Sequence, residues 1–134
     1  MSSFADQLRM FEAKTLEKMG RAARKVSLDA FSEVIRMSPV DSGRFRGNWQ
    51  PAIGSVPSGT VELLDPSGNI VIANVRGVVA GMQPGDVVYM ANNLPYAQRL
   101  EDGWSQQAPA GMVRLTVQRF QPIAEAVIRQ IGAE

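Results

Sequence analysis

The sequence predicts a single α+β domain over residues 1–134, with a long N-terminal helix and a C-terminal helix packed on a small β-sheet, and a middle helix between them. Three observations lead there. Apolar residues recur at three- and four-residue spacing from Phe4 to Ile35 and again from Met112 to Ile131, the period of a helix with one buried face. Short apolar segments around Trp49 and Tyr89 lie between these runs, bounded by Gly, Pro, Asn and Ser. A chain of 134 residues with 45% hydrophobic residues can bury one modest core and is too short for two.

The first helix is placed at Phe4 to Met37, with Ser3 as N-cap and Asp6 in the first turn, where an acidic side chain suits the helix dipole. At about 1.5 Å per residue it reaches roughly 50 Å, longer than so small a domain is wide. One end is therefore expected to project, to bend near Gly20, or to be covered by another subunit, and the last is favoured. Lys14, Lys18, Arg21, Arg24 and Lys25 make its middle basic. Two readings stand: a solvated face with Glu17 and Arg21 as an i,i+4 pair, or a face for weak, sequence-independent contact with DNA.

Pro39 lacks an N–H and excludes Ser38 from the α region, which stops the helix. Asp41, Ser42 and Gly43 supply a turn, with a positive φ expected at Gly43. In extended geometry beyond it, Arg44 and Arg46 share one face and Phe45 takes the other. Asn48 to Ile53 reads as a strand confined to an edge or bulge by Pro51. Gly54 to Gly59 is a loop, and Thr60 to Leu64 is a short strand or an extended approach. A helix is predicted from Pro66 to Ala80, with Asp65 as N-cap, Pro66 at the first helical position and Gly81 followed by Pro84 as the stop; the run Ile70-Val71-Ile72 argues for a strand instead. Val87 to Ala91 reads as an inner strand. Tyr96 to Glu101 is one or two helical turns ended by Gly103, and Trp104 heads a polar loop. In the last helix Pro122 predicts a kink or break near Arg119.

Composition narrows the chemistry. Fourteen Lys and Arg against 13 Asp and Glu leave a net charge of +1, so any attraction to nucleic acid is local. Neither Cys nor His occurs, which removes thiolate and imidazole catalysis and most zinc sites. Gly43-Arg44-Phe45-Arg46-Gly47 lacks the Lys-Ser or Lys-Thr of a phosphate-binding loop, and adjacent Glu101 and Asp102 diverge on a helix, which suits neither a catalytic pair nor a metal. No enzyme, cofactor or metal is expected. The start of the chain lacks a basic stretch followed by an apolar run, and no apolar stretch is long enough to span a bilayer, so a soluble, unprocessed protein without membrane partners is expected.

Pro39-Val40-Asp41-Ser42-Gly43-Arg44-Phe45-Arg46-Gly47-Asn48-Trp49, with Leu94-Pro95-Tyr96-Ala97-Gln98-Arg99-Leu100-Glu101-Asp102-Gly103 further on, resembles the minor tail component family of tailed bacteriophages. These are neck proteins, also described as tail completion or head-tail joining proteins. The family order is a long helix, a Pro-Val-Asp-Thr-Gly-Arg-Leu-Arg-like turn into a strand, a Tyr-Ala-x-x-x-Glu-x-Gly segment and a closing helix. This sequence follows it from Phe4 to Ile131, with Ser42 where Thr is usual and Phe45 where Leu is usual. The resemblance implies a structural virion protein of the neck, assembled in the host cytoplasm as a homo-oligomeric ring between head connector and tail tube. A tail terminator capping the tube is the nearest alternative, and a small nucleic-acid-binding protein using the basic helix is the alternative from another class. Asp41, Arg44, Arg46, Trp49, Tyr96, Glu101 and Trp104 become the candidate partner-binding residues, since guanidinium forks suit carboxylates and aromatics anchor interfaces. For Trp49 and Tyr96 the core competes with that role, and for Glu101 a helix-end role does. Arg44, Arg46 and Trp104 are expected to serve assembly more than folding.

Overall fold

The computed structural model describes residues 3–134. α1 (Phe4–Met37) opens with a capping box: Ser3 Oγ accepts from the Asp6 N–H at 3.1 Å, and the Asp6 carboxylate accepts from the Ser3 N–H at 3.3 Å. It runs unbroken past Gly20 and stops at Ser38, whose extended backbone (φ −68°, ψ 136°) precedes Pro39 as proline requires.

Gly43, at φ 91°, then starts a single helical turn, α2 (Arg44–Gly47), where an extended segment was expected. The Gly43 carbonyl accepts from both Gly47 and Asp65 N–H groups, at 2.9 and 3.0 Å, and this pair of bonds coils the chain. β1 (Gln50–Ile53) pairs antiparallel with β2 (Val88–Ala91), Gln50 facing Ala91 and Ile53 facing Val88. With two strands in the sheet, β2 is not the inner strand its apolar run implied, and Pro51 sits where the missing N–H is tolerated. Thr60 to Leu64 takes the extended approach and forms no strand.

α3 (Asn69–Val79) is the expected middle helix, begun three residues later. Gly68, not Asp65, is its N-cap, at φ 81°. Asp65 still acts as a cap from one turn upstream: its buried carboxylate accepts from the N–H groups of Gly68 (3.2 Å) and Val71 (2.9 Å) and from the Ser67 hydroxyl (3.3 Å). These bonds satisfy helix N–H groups that lack intrahelical partners. The helix ends at Val79 with Ala80 still right-handed, so Gly81 does not supply a left-handed stop. Tertiary burial decides the helix-or-strand ambiguity of Ile70-Val71-Ile72: Val71, Ile72, Val75 and Val79 form one buried stripe at helical spacing.

α4 (Ala97–Glu101) leads to Gly103 at φ 92°. The closing helix breaks at Arg119 into α5 (Val113–Gln118) and α6 (Phe120–Gly132), which places Pro122 in the first turn of α6, where its absent N–H leaves no bond unmade. α3 packs on α1 on one side and on β1 on the other, while α6 runs along α1. The core joins Val34 and Ile35 of α1 to Phe45, Trp49, the α3 stripe, Leu94 and Met112.

Candidate functional site

The residues of the Pro39 to Trp49 turn divide into an inner and an outer set. Arg46 turns back beneath α1. Its Nε donates to the Ser38 carbonyl at 3.0 Å, Nη2 to Arg36 at 2.7 Å and Nη1 to Pro66 at 2.7 Å. Two of those carbonyls belong to the end of α1, where helix carbonyls lack intrahelical partners. Burial pulls the guanidinium below its ordinary pKa, and the Asp65 carboxylate opposes that shift. Arg46 is thus a structural clamp within its own chain. Helical coiling of α2 separates it from Arg44, with which it would share a face only in an extended chain.

Trp49 is also interior. Its indole N–H donates to Ser38 Oγ at 2.8 Å, and that hydroxyl donates to the Val34 carbonyl at 2.8 Å, so a buried polar chain ties the turn to α1. Phe45 meets Trp49 edge-on at 5.7 Å and Tyr96 at 6.2 Å between ring centroids. Glu101 is engaged within the chain: its carboxylate accepts from the N–H groups of Met112 (3.1 Å), Val113 (2.9 Å) and Arg114 (3.0 Å) and so caps α5. The helix-end reading of Glu101 holds, though the helix end is that of α5.

Asp41, Arg44 and Tyr96 are brought together. They line a cleft of about 270 Å³ with Pro39, Val40, Leu100 and Gln107. Among the described residues, the side chains of Asp41 and Arg44 make no hydrogen bond or ion pair within the chain. Gln107 closes the floor, accepting from the Val40 N–H at 2.8 Å and donating to the Val40 carbonyl at 3.0 Å. Trp104 stands beside this region, 72% exposed, with the Arg99 guanidinium 5.2 Å over its ring.

The first half of α1 is an uncovered apolar surface. Phe4, Leu8, Phe11 and Met19 continue the stripe that Ala30 and Val34 bury further on, yet are 74%, 51%, 71% and 62% exposed. Phe4, Leu8 and Phe11 stay exposed, the Met82 to Asp86 segment lies beside Met19, and α6 comes back as far as the ion pair of Glu134 with Arg21. Of the three alternatives, projection, a bend near Gly20 or cover by another subunit, α1 continues unbroken through Gly20 and leaves its first turns exposed. Along the middle of α1, Arg21 pairs with Glu17 at 2.7 Å and Lys25 with Asp29 at 3.0 Å, so two of the five basic side chains there are internally neutralised.

Residues that sequence reasoning passed over hold the turn in place. Asn48 is wholly buried, its amide donating to the Arg44 carbonyl at 2.8 Å and accepting from the Val61 N–H at 2.9 Å. Asn92 reaches the Phe45 carbonyl at 2.8 Å. The one signal for Asn48 was a polar residue between Gly47 and Trp49, both of them interior. Among the described residues, no group of three or more acidic side chains is placed to hold a metal. What the exposed set offers is contact chemistry: an unpaired carboxylate and guanidinium at a cleft, an aromatic beside it and a bare apolar helix. No protein-family model, curated protein or solved structure matches this chain.

Proposed function

We propose that this chain is a structural component of the neck of a tailed bacteriophage or prophage, forming a homo-oligomeric ring that completes the tail and joins it to the head connector. The observation that carries the reading is the first half of α1, whose apolar residues Phe4, Leu8, Phe11 and Met19 are each more than half exposed. About 500 Å² of apolar side chain left in water marks an interaction surface on a small domain. In a ring, each copy covers its neighbour, and the contact repeats around the symmetry axis. The Pro39 to Trp49 and Leu94 to Gly103 motifs, which carry the family resemblance, meet through Phe45 and Tyr96. They present Asp41 and Arg44 at one cleft, with Trp104 nearby, as contacts for a head-connector protein, a tail-tube or terminator protein, or the next copy. The role is structural and not catalytic, and its place is the virion.

Electron microscopy and light scattering of the purified protein test the ring, and complementation of a phage lacking the protein tests the neck. Rings, and separate heads and tails when the protein is missing, are expected. A chain that stays monomeric and binds free DNA with an affinity falling steeply with salt would replace this reading with nucleic-acid binding.

A further inference from the structure

Where α1 meets α3 and α6, a pocket of about 370 Å³ opens between the helices. Arg21, Arg24, Lys25 and Leu28 recur at i, i+3, i+4 and i+7 and so reach it from one face of α1. α3 adds Arg76 and Val79, and α6 and the residues after it add Gln130, Ile131 and Glu134. Four cations therefore converge, although like charges one turn apart on a helix repel. Their partners are unevenly distributed. Lys25 pairs with Asp29, and Arg21 with Glu17 and Glu134. Among the described residues Arg24 has no carboxylate partner, donating only to the Met82 carbonyl at 3.3 Å, and the exposed Arg76 side chain forms no ion pair. Arg21 Nε is buried and, though 2.7 Å from the Glu17 carboxylate, lacks an aligned hydrogen bond. Four cations against Glu17, Asp29 and Glu134 leave a charge of +1, and taking Glu134 away raises it to +2. Glu134 is the member most easily displaced, since it lies beyond the end of α6 and its side chain is half exposed.

We infer that this pocket binds a small organic phosphate monoester, the phosphate replacing the Glu134 carboxylate among Arg21, Arg24 and Arg76 and the organic body lying against Leu28, Val79 and Ile131. Three observations favour this ligand. The charge of +2 left when Glu134 moves aside matches a phosphate monoester, which carries about −1.5 to −2 at neutral pH. The cations without carboxylate partners are both guanidiniums, whose planar forks suit phosphate oxygens, and the chain's own carboxylate at Arg21 already shows the site holding an oxyanion. Apolar walls with a few convergent polar groups, in a volume at the lower end of the roughly 300–1,000 Å³ of ligand pockets, fit a small body beside the phosphate. A nucleic-acid backbone, with one charge per phosphate spread along a strand, is matched by an open basic stripe and not by cations gathered around one pocket. The pocket is complete within one chain, so the inference holds independently of the ring and the neck.

Titration of the full chain with phenyl phosphate, followed by amide NMR shifts, tests the site. One saturable site is expected, with shifts around Leu28, Val79 and Ile131. Arg76→Gln, at an exposed position without an ion pair, should keep the wild-type melt and weaken binding about tenfold. Glu134→Gln, which removes the competing carboxylate, should tighten it about threefold, a gain that a merely structural role for Glu134 would not produce. Benzenesulfonate, of similar shape with one charge fewer, and inorganic phosphate, which lacks the organic body, should each bind about fivefold more weakly than the probe. No saturation by about 10 mM, or an affinity that neither substitution moves, would overturn the site. Shifts confined to Phe4 through Met19 would put the probe on the exposed face of α1 and overturn it equally. Inorganic phosphate or benzenesulfonate binding as tightly as the probe would overturn the ligand class, as would a short DNA duplex that binds more tightly with the same dependence on Arg76.

Discussion

Replacing Arg46 with Ala removes three charge-assisted hydrogen bonds at once, to the carbonyls of Ser38, Arg36 and Pro66. Bonds to charged groups contribute about 1.5–3 kcal/mol each when shielded. Here the bonds to Arg36 and Pro66 are exposed, and water replaces much of what those two lose. The bond to Ser38 is partly buried, and without it a carbonyl at the end of α1 loses its partner. Allowing most of one shielded bond and a fraction of the other two gives a net loss of about 2–3 kcal/mol. For a domain of this size that lowers the melting temperature by about 8–12 °C. Arg46→Lys should retain only part of the stability, since an ammonium cannot reproduce the planar fork that reaches three acceptors. Arg44→Ala, with an exposed side chain that bonds nothing among the described residues, should change stability by less than about 0.5 kcal/mol. Urea denaturation of the three variants, with coincident fluorescence and circular dichroism transitions as the two-state check, measures these differences. An Arg46→Ala midpoint equal to that of wild type, or an Arg44→Ala loss of equal size, would refute the clamp.

Gly43→Val should destabilise by about 3 kcal/mol or more, because the residue sits at φ 91° and an added Cβ would overlap the backbone of Asp65 and Pro66; a wild-type melt would disprove the account. Trp104→Ala should change stability by no more than about 1 kcal/mol, the scale of an exposed cation–π contact, while abolishing ring formation or head-tail joining; normal rings and virions would return Trp104 to the solvent. The hydrogen bond from Arg9, followed by those from Ser3, holds the Asp6 carboxyl below its ordinary value of 3.8. Its support for the start of α1 is therefore complete above that value and is lost as pH falls through the lowered one. Amide exchange in the first turn should accelerate only in that acidic window, and an Asp6→Asn variant with the same acid profile would show that another group is responsible.

Much of the fold was legible along the chain because its causes are local. The N-cap at Ser3, the stop at Ser38-Pro39, the positive φ at Gly43 and the break before Pro122 each depend on a few neighbouring residues, and all stand where the sequence places them. The first helix is the clearest case, from Phe4 to Met37, because its apolar period and both of its ends agree. Partners distant in sequence were not legible. Whether Arg46 faces a neighbour or its own chain depends on Gly43 accepting from Gly47, which coils α2, and from Asp65, which brings Pro66 within reach. Glu101 caps a helix that begins beyond Gly111, and Asp65 caps from outside the position that local spacing assigns to it. The sequence by itself determined the span of α1, its stop at Ser38-Pro39, the break before Pro122 and which residue types are available for contact, because propensity, capping and proline sterics act over one or two turns. Only the tertiary structure decided that Arg46, Trp49 and Glu101 serve the fold while Asp41, Arg44, Trp104 and the first turns of α1 remain free to meet another surface, because burial and hydrogen-bond partnership depend on residues that the chain brings together only when it packs.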